Sequence, residues 1–173
     1  MLIAAWLGSG IAGRSLGELE PFLPPNVGAL EPLLGAGNRD VPLTLEWRLN
    51  DYSAALAVAR QQHRRVLIDF TGYTCTNCRW MEANMFTRPE VKAALNRFVL
   101  SRLFTDGEGE IYDRQQAFQQ SQFKTVALPF YAIVESDGRT VSTFAGLTRD
   151  AVLFTDFLTR NSAPVTASAV GRW

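Results

Sequence analysis

Between Leu43 and Arg160 the apolar positions form two kinds of pattern. Near-continuous apolar runs predict buried strands, and apolar residues recurring every three or four positions predict amphipathic helices. "RVLIDF" (Arg65–Phe70) and "RFVLSRLF" (Arg97–Phe104) are of the first kind and read as central strands covered on both faces. "LTLEW" (Leu43–Trp47) alternates, which predicts a short edge strand. "FYAIVE" (Phe130–Glu135) and "TVSTFA" (Thr140–Ala145) flank Ser136-Asp137-Gly138-Arg139 and predict a hairpin. Asp51 or Ser53 caps a helix that carries Tyr52, Leu56 and Ala59 and ends near His63. A second helix opens at the two cysteines and runs toward Phe86, and a third spans Arg88–Leu95 with Pro89 in its first turn. Glu110–Gln120 and Arg149–Arg160 complete the helices. The order β-α-β-α-β-α-β-β-α predicts an α/β fold, a central mixed sheet with helices on both faces and an antiparallel final hairpin.

The flanking segments have a different texture. Met1–Gly13 is apolar until Arg14, shorter than the roughly 20 residues a spanning helix needs and without the basic start of a signal peptide. It reads as the end of a membrane helix, with a short interfacial anchor or an apolar tail packed on its own domain as the alternatives. Residues 14–42 hold prolines 21, 24, 25, 32 and 42 among scattered glycines, with no sustained period, and read as a Pro/Gly-rich tether. The compact domain is therefore expected over 43–160, with a flexible tail over 161–173.

Charge narrows the partners. Of 173 residues, 17 are Lys or Arg and 17 are Asp or Glu, so the net charge is zero and nothing favours a polyanion such as nucleic acid.

The only two cysteines, Cys75 and Cys78, lie in "VLIDFTGYTCTNCRWME" (Val66–Glu82). A tetrahedral zinc site wants four Cys or His ligands, and one histidine, His63, cannot complete the set. His63 also precedes the strand that Cys75 follows, so a span of about 20 Å separates them, too far for a Cys–His nucleophile. His63 reads as a surface residue at a helix end. A disulfide closing so short a loop removes little unfolded-state entropy, so it is a poor structural staple. A CxxC at a helix start, directly after a buried strand, reads instead as a redox pair that needs no cofactor and no metal. Cys75 sits where free backbone N–H groups and the helix dipole favour a thiolate. Cys78, one turn deeper, stays a thiol and resolves the mixed disulfide that Cys75 forms.

Two acids share this neighbourhood. Asp69 stands inside an apolar strand, where a carboxylate is expensive, and Glu82 follows Cys78 by four residues on the same helix face. Each is a candidate for handling the Cys78 proton, beside the alternatives of a hydrogen-bonded structural aspartate and a solvated helix glutamate. Arg79 reads as facing water, with assistance to the Cys75 thiolate as the alternative. Pro129 precedes a strand whose start returns to the CxxC end; a cis Leu128–Pro129 bond there would leave Leu128 backbone groups free for a substrate. "TDGEGEIYD" (Thr105–Asp113) departs from calcium-loop spacing and reads as a solvated loop leading into a helix.

Strand, CxxC helix and late proline together resemble the thioredoxin superfamily. The "CxxCxxME" run, the following phenylalanine, "PEV" and "LPF" are similar to the C-terminal extracytoplasmic domain of the DsbD thiol:disulfide interchange family, over about residues 47–160. That resemblance implies a thioredoxin-like fold and a disulfide reductase relaying electrons outside the cytoplasmic membrane, with a free-standing thioredoxin-like oxidase or reductase, or a non-catalytic binding module on the same fold, as the alternatives. It implies other thiol-disulfide proteins as partners, among them a membrane electron-donor domain, and attachment through the N-terminus. By position Asp69 matches the buried strand acid, Glu82 the acid after the CxxC, and Pro129 the cis-proline. Tyr73, Thr74, Thr76 and Asn77, with Leu128, Pro129 and Phe130, form the expected substrate-contacting rim. Thr74 stands where thioredoxins have Trp, and Thr76-Asn77 lacks both the proline of thioredoxin and the histidine of strong oxidants. Phe130 is expected to make the rim apolar.

Overall fold

The computed structural model describes residues 44–162. The apolar segment 1–13, the tether 14–42, Leu43 and the tail from 163 lie outside the described residues. A five-stranded sheet runs β1 (Trp47–Leu49), β3 (Val99–Phe104), β2 (Val66–Thr71), β4 (Phe130–Val134), β5 (Thr140–Ala145). The first three of these are mutually parallel, and β4 and β5 run antiparallel. The mixed sheet follows from the connections: helical crossovers join β1, β2 and β3, and a tight turn joins β4 to β5.

Helices α1 (Tyr52–Gln62), α2 (Thr76–Trp80), α3 (Pro89–Leu95), α4 (Glu110–Phe123) and α5 (Ala151–Arg160) cover both faces. Asp51 caps α1 by accepting the Ala54 N–H at 2.8 Å, and Asp150 caps α5 through the N–H groups of Val152 and Leu153. His63 closes α1 in the left-handed conformation and is exposed, as the sequence suggested.

Two expectations are corrected. The edge strand begins at Trp47, with Thr44, Leu45 and Glu46 outside it, because pairing starts where Trp47 meets Leu100 of β3. The alternation of Leu45 and Trp47 reports their packing onto the core and not a ladder of hydrogen bonds. The cysteine helix does run to Phe86, but it changes pitch: Met81–Met85 is a π-helical turn, and the Phe86 N–H reaches back five residues to the Met81 carbonyl at 2.9 Å.

Strand β2 is buried at every position, so its residues divide between two cores. Val66, Ile68 and Phe70 pack with Ala55 and Ala59 of α1 and with Phe118 and Phe123 of α4. Leu67 packs with Met81, Met85, Val91, Leu95, Phe154 and Leu158 on the opposite face. Each such side chain contributes about 1.5–3 kcal/mol by leaving water. Asp69 and Thr71 continue the Leu67 face, which places them beneath the cysteine helix.

Candidate active site

Strand β2 ends at Thr71, and Gly72, Tyr73 and Thr74 turn the chain into Cys75. Cys75 and Cys78 form a disulfide, with Cα atoms 5.3 Å apart. Cys75 is the N-cap of α2, and its Sγ accepts the Cys78 N–H at 3.2 Å. That contact is made with the first-turn donors a helix leaves unpaired, the groups expected to favour a thiolate. Cys78 is 1% exposed and Cys75 half-buried, so the two sulfurs differ in reach as the sequence reading required. Thr76, Asn77, Tyr73 and Thr74 are exposed around them.

Beneath the helix lies a charged cluster. Asp69 is buried and accepts from Arg102 Nε at 2.9 Å, its neighbour in the β2–β3 register. Arg102 Nη1 lies 3.6 Å from Glu82 Oε1 and its guanidinium stacks 4.2 Å over Trp47. Glu82 Oε1 also takes Arg79 Nη2 at 2.6 Å and the Thr71 hydroxyl at 3.3 Å. Arg79 in turn donates to Thr71 Oγ1 at 2.7 Å. Burial pushes the Asp69 carboxyl up, Arg102 pulls it back, and the balance stays above the ordinary value. Burial likewise raises Glu82, helped by Asp69 and opposed by Arg102 and Arg79. Two acids with raised proton affinity therefore sit on the inner side of the pair. Tyr131, opposite Asp69 in register, has a buried hydroxyl with no hydrogen-bond partner among the described residues.

Arg79 is corrected here. It is 4% exposed and turns inward to Glu82 and Thr71, away from water. Glu82, three residues further along and half-buried, supplies the attraction that solvation would otherwise supply. Arg102 was a missed member, and its signal was available: like Asp69, it is a charge inside an apolar strand.

On the outer side, Asp106 holds the loop before Cys75. Its carboxylate accepts the Tyr73 N–H at 2.6 Å, the Thr74 N–H at 2.9 Å and the Thr74 hydroxyl at 2.7 Å. The Tyr73 ring stacks on Phe104 at 4.1 Å, and its hydroxyl lies 3.3 Å from that of Tyr112. The solvated loop expected over Thr105–Asp113 is thus partly a clamp.

The Leu128–Pro129 peptide is cis. Phe70 pairs with Phe130, so Pro129 stands at the end of the sheet from which the CxxC loop emerges. Leu128 is half-buried there. Phe130 is a second correction: it is 6% exposed, and its ring packs with Phe70 and Phe123 in the core. Strand β4 is buried at every position and its residues alternate between the two cores, so the Phe130 side chain cannot form the rim.

A mixed sheet with a CxxC disulfide capping the helix after its central strand, and a cis-proline at the same end, defines a thioredoxin fold bearing a thiol-disulfide oxidoreductase site. Residues 47–136 match the thioredoxin-like family, and the chain belongs to it. Over 135 residues it is 32% identical to the thiol:disulfide interchange protein DsbD 1 of Pseudomonas aeruginosa, covering 75% of this chain and 21% of that protein. The chain thus spans about a fifth of that relative's length. The reduced C-terminal domain of DsbD from Neisseria meningitidis superposes with a TM-score of 0.55 at 23% identity, over 66% of this chain and 99% of that one. A thioredoxin from Thermus thermophilus gives 0.56 at 24% identity, over 67% and 85%. Both likenesses support the fold.

Proposed function

We propose that the protein is an electron-relay reductase, using Cys75 and Cys78 to reduce disulfides of partner proteins outside the cytoplasmic membrane. The observation that carries this reading is the unequal placement of the sulfurs, one at the helix mouth and one buried above two acids of raised proton affinity.

In the dithiol form the Cys75 thiolate attacks a partner disulfide. A Cys75–partner bond forms, the partner's S–S bond breaks, and its second sulfur leaves as a thiolate. Cys78 then gives its proton to the Asp69–Glu82 pair and attacks the Cys75 sulfur. The Cys75–Cys78 disulfide forms, and the partner leaves with two electrons gained. A second dithiol, in the proposal that of a membrane domain, restores the starting state. Tyr73, Thr74, Thr76, Asn77, Leu128 and the backbone at Pro129 supply the surface the partner meets.

Similarity to a thiol:disulfide interchange protein supports thiol-disulfide proteins as partners. The extracytoplasmic location, the membrane attachment through 1–13, the tether over 14–42 and a domain limited to 43–160 belong to the same proposal. Among the described residues no helix is long and apolar enough to cross a membrane.

The test is equilibration of the chain with glutathione and dithiothreitol buffers, reading the dithiol fraction. A potential near that of thioredoxin, about −270 mV, is the expected result; one near about −120 mV, the range of a strong oxidant, overturns the reductase reading.

A further inference from the structure

The Asp106 carboxylate belongs to neither the inner acid cluster nor the cysteine helix, yet it accepts the Tyr73 and Thr74 N–H groups and the Thr74 hydroxyl of the loop that delivers Cys75. Three donors converge on it, two of them the backbone N–H groups of the residues just before the cysteine. The approach is close: a Cβ at position 72 would stand 2.5 Å from Asp106 Oδ2, so a side chain there would displace the carboxylate. Partial burial pushes this carboxyl up, but the Thr74 N–H, the Thr74 hydroxyl and the Tyr73 N–H outweigh it and hold it below its ordinary value. At working pH it is a fixed negative charge.

We propose that Asp106 is a positioning residue for Cys75, a charge placed on the outer side of the pair that holds the thiol's proton affinity up. Two effects act together. The carboxylate engages N–H groups that would otherwise point their positive ends toward the loop and the sulfur beyond it. Its own charge opposes a second negative charge on Cys75, one residue past Thr74. Both oppose the helix N-terminus, which favours the thiolate. On the inner side Asp69 is paired with Arg102 and Glu82 with Arg79 and Arg102, and the Arg149 guanidinium lies 5.2 Å from the ring centre of Trp80 on the cysteine helix. The hydroxyls of Tyr73 and Tyr112, 3.3 Å apart, complete the outer face. Asp106 is thus the anion on the solvent side that the helix mouth works against. A reductase gains from this arrangement, because a less stabilised thiolate makes the dithiol a better electron donor.

The inference rests on Cys75 being the attacking sulfur, and the experiment separates the two ideas. The full chain is reduced and treated with iodoacetamide across pH, and mass spectrometry of the peptides assigns the modified cysteine. Wild type is expected to react at Cys75; reaction at Cys78 instead would overturn the assignment of the attacking sulfur. Asp106→Asn is expected to lower the pH midpoint of Cys75 alkylation and to raise its rate below that midpoint about fivefold, the size of one unit charge acting across a partly solvated gap. Asp106→Ser gives the same direction and serves if the asparagine variant folds poorly. Thr74→Val removes a donor while keeping the charge, and its midpoint is expected to hold or rise. Cys75 alkylation with an unmoved midpoint in the Asp106 variants, or an equal fall in Thr74→Val, overturns the role of the charge while leaving Cys75 as the attacking sulfur.

Discussion

Asp69 and Asp106 flank the same disulfide, one below it and one outside it, and their surroundings drive them in opposite directions. Asp69 meets a single guanidinium contact in a dry setting, so burial dominates and its proton is held more tightly. Asp106 is mostly open to water and receives three donors, so its proton is held more loosely. The lesson concerns division of labour. An acid that must take a proton from a thiol needs desolvation, whereas an acid that must remain charged needs donors and water. One chain provides both within reach of two cysteines.

The contrast can be broken most severely at Arg102. Arg102→Leu leaves Asp69 and Glu82 without their shared cation and is expected to cost about 3 kcal/mol in urea unfolding at neutral pH. The loss should shrink in acid as the two carboxyls protonate. A cost under about 1 kcal/mol would mean that the inner cluster behaves like a surface ion pair.

Asp69→Asn has a smaller effect with a diagnostic sign. A carboxyl with a raised folded value contributes stability that is complete below the unfolded value, about 3.9, and disappears as pH rises through the folded one. The wild-type disulfide form should therefore lose stability over that interval relative to Asp69→Asn, read as the difference in urea midpoints from pH 4 to 8. Parallel curves would show that Asp69 titrates normally. Asp106 has the opposite sign, its contribution being present above the unfolded value and lost only as pH falls through the lower folded one.

The smallest effect is expected from Tyr73→Phe. It removes the 3.3 Å hydroxyl contact to Tyr112 but keeps the stack on Phe104. Stability should change by no more than about 0.5 kcal/mol, with the Cys75 midpoint unmoved. A shifted midpoint would show that the tyrosine hydroxyl, and not Asp106 alone, acts on the sulfur.

The strands that were legible were those whose apolar runs are long enough to be covered on both sides, β2 and β3 above all. The cysteine pair, Asp69 and the proline end of β4 stand out because each breaks its local pattern, and Glu82 stands out by its four-residue spacing from Cys78. The inward turn of Arg79 could not be read, since a charge four residues after Cys75 looks the same on either side of a helix until the packing of that helix on Thr71 and the sheet is known. Phe130 was misplaced because both faces of β4 are covered, so the residue after the rim proline is buried whichever way the pleat turns it. Asp106 was hidden by distance, its partners lying 32 and 33 positions away, and an acidic Gly-rich loop carries no sign of what it will grip.

The π-helical turn at Met81–Met85 has a consequence for how this region can vary. A wider turn works as a phase adjuster: it lets the residues before it aim at the mouth of the sheet while those after it keep their bearing on the core. The cysteine end can therefore change in composition without rotating Met85 and Phe86 out of their seats. A one-residue deletion within the turn would tighten it to an ordinary α-helical turn, since the wider turn holds one residue more over about the same rotation.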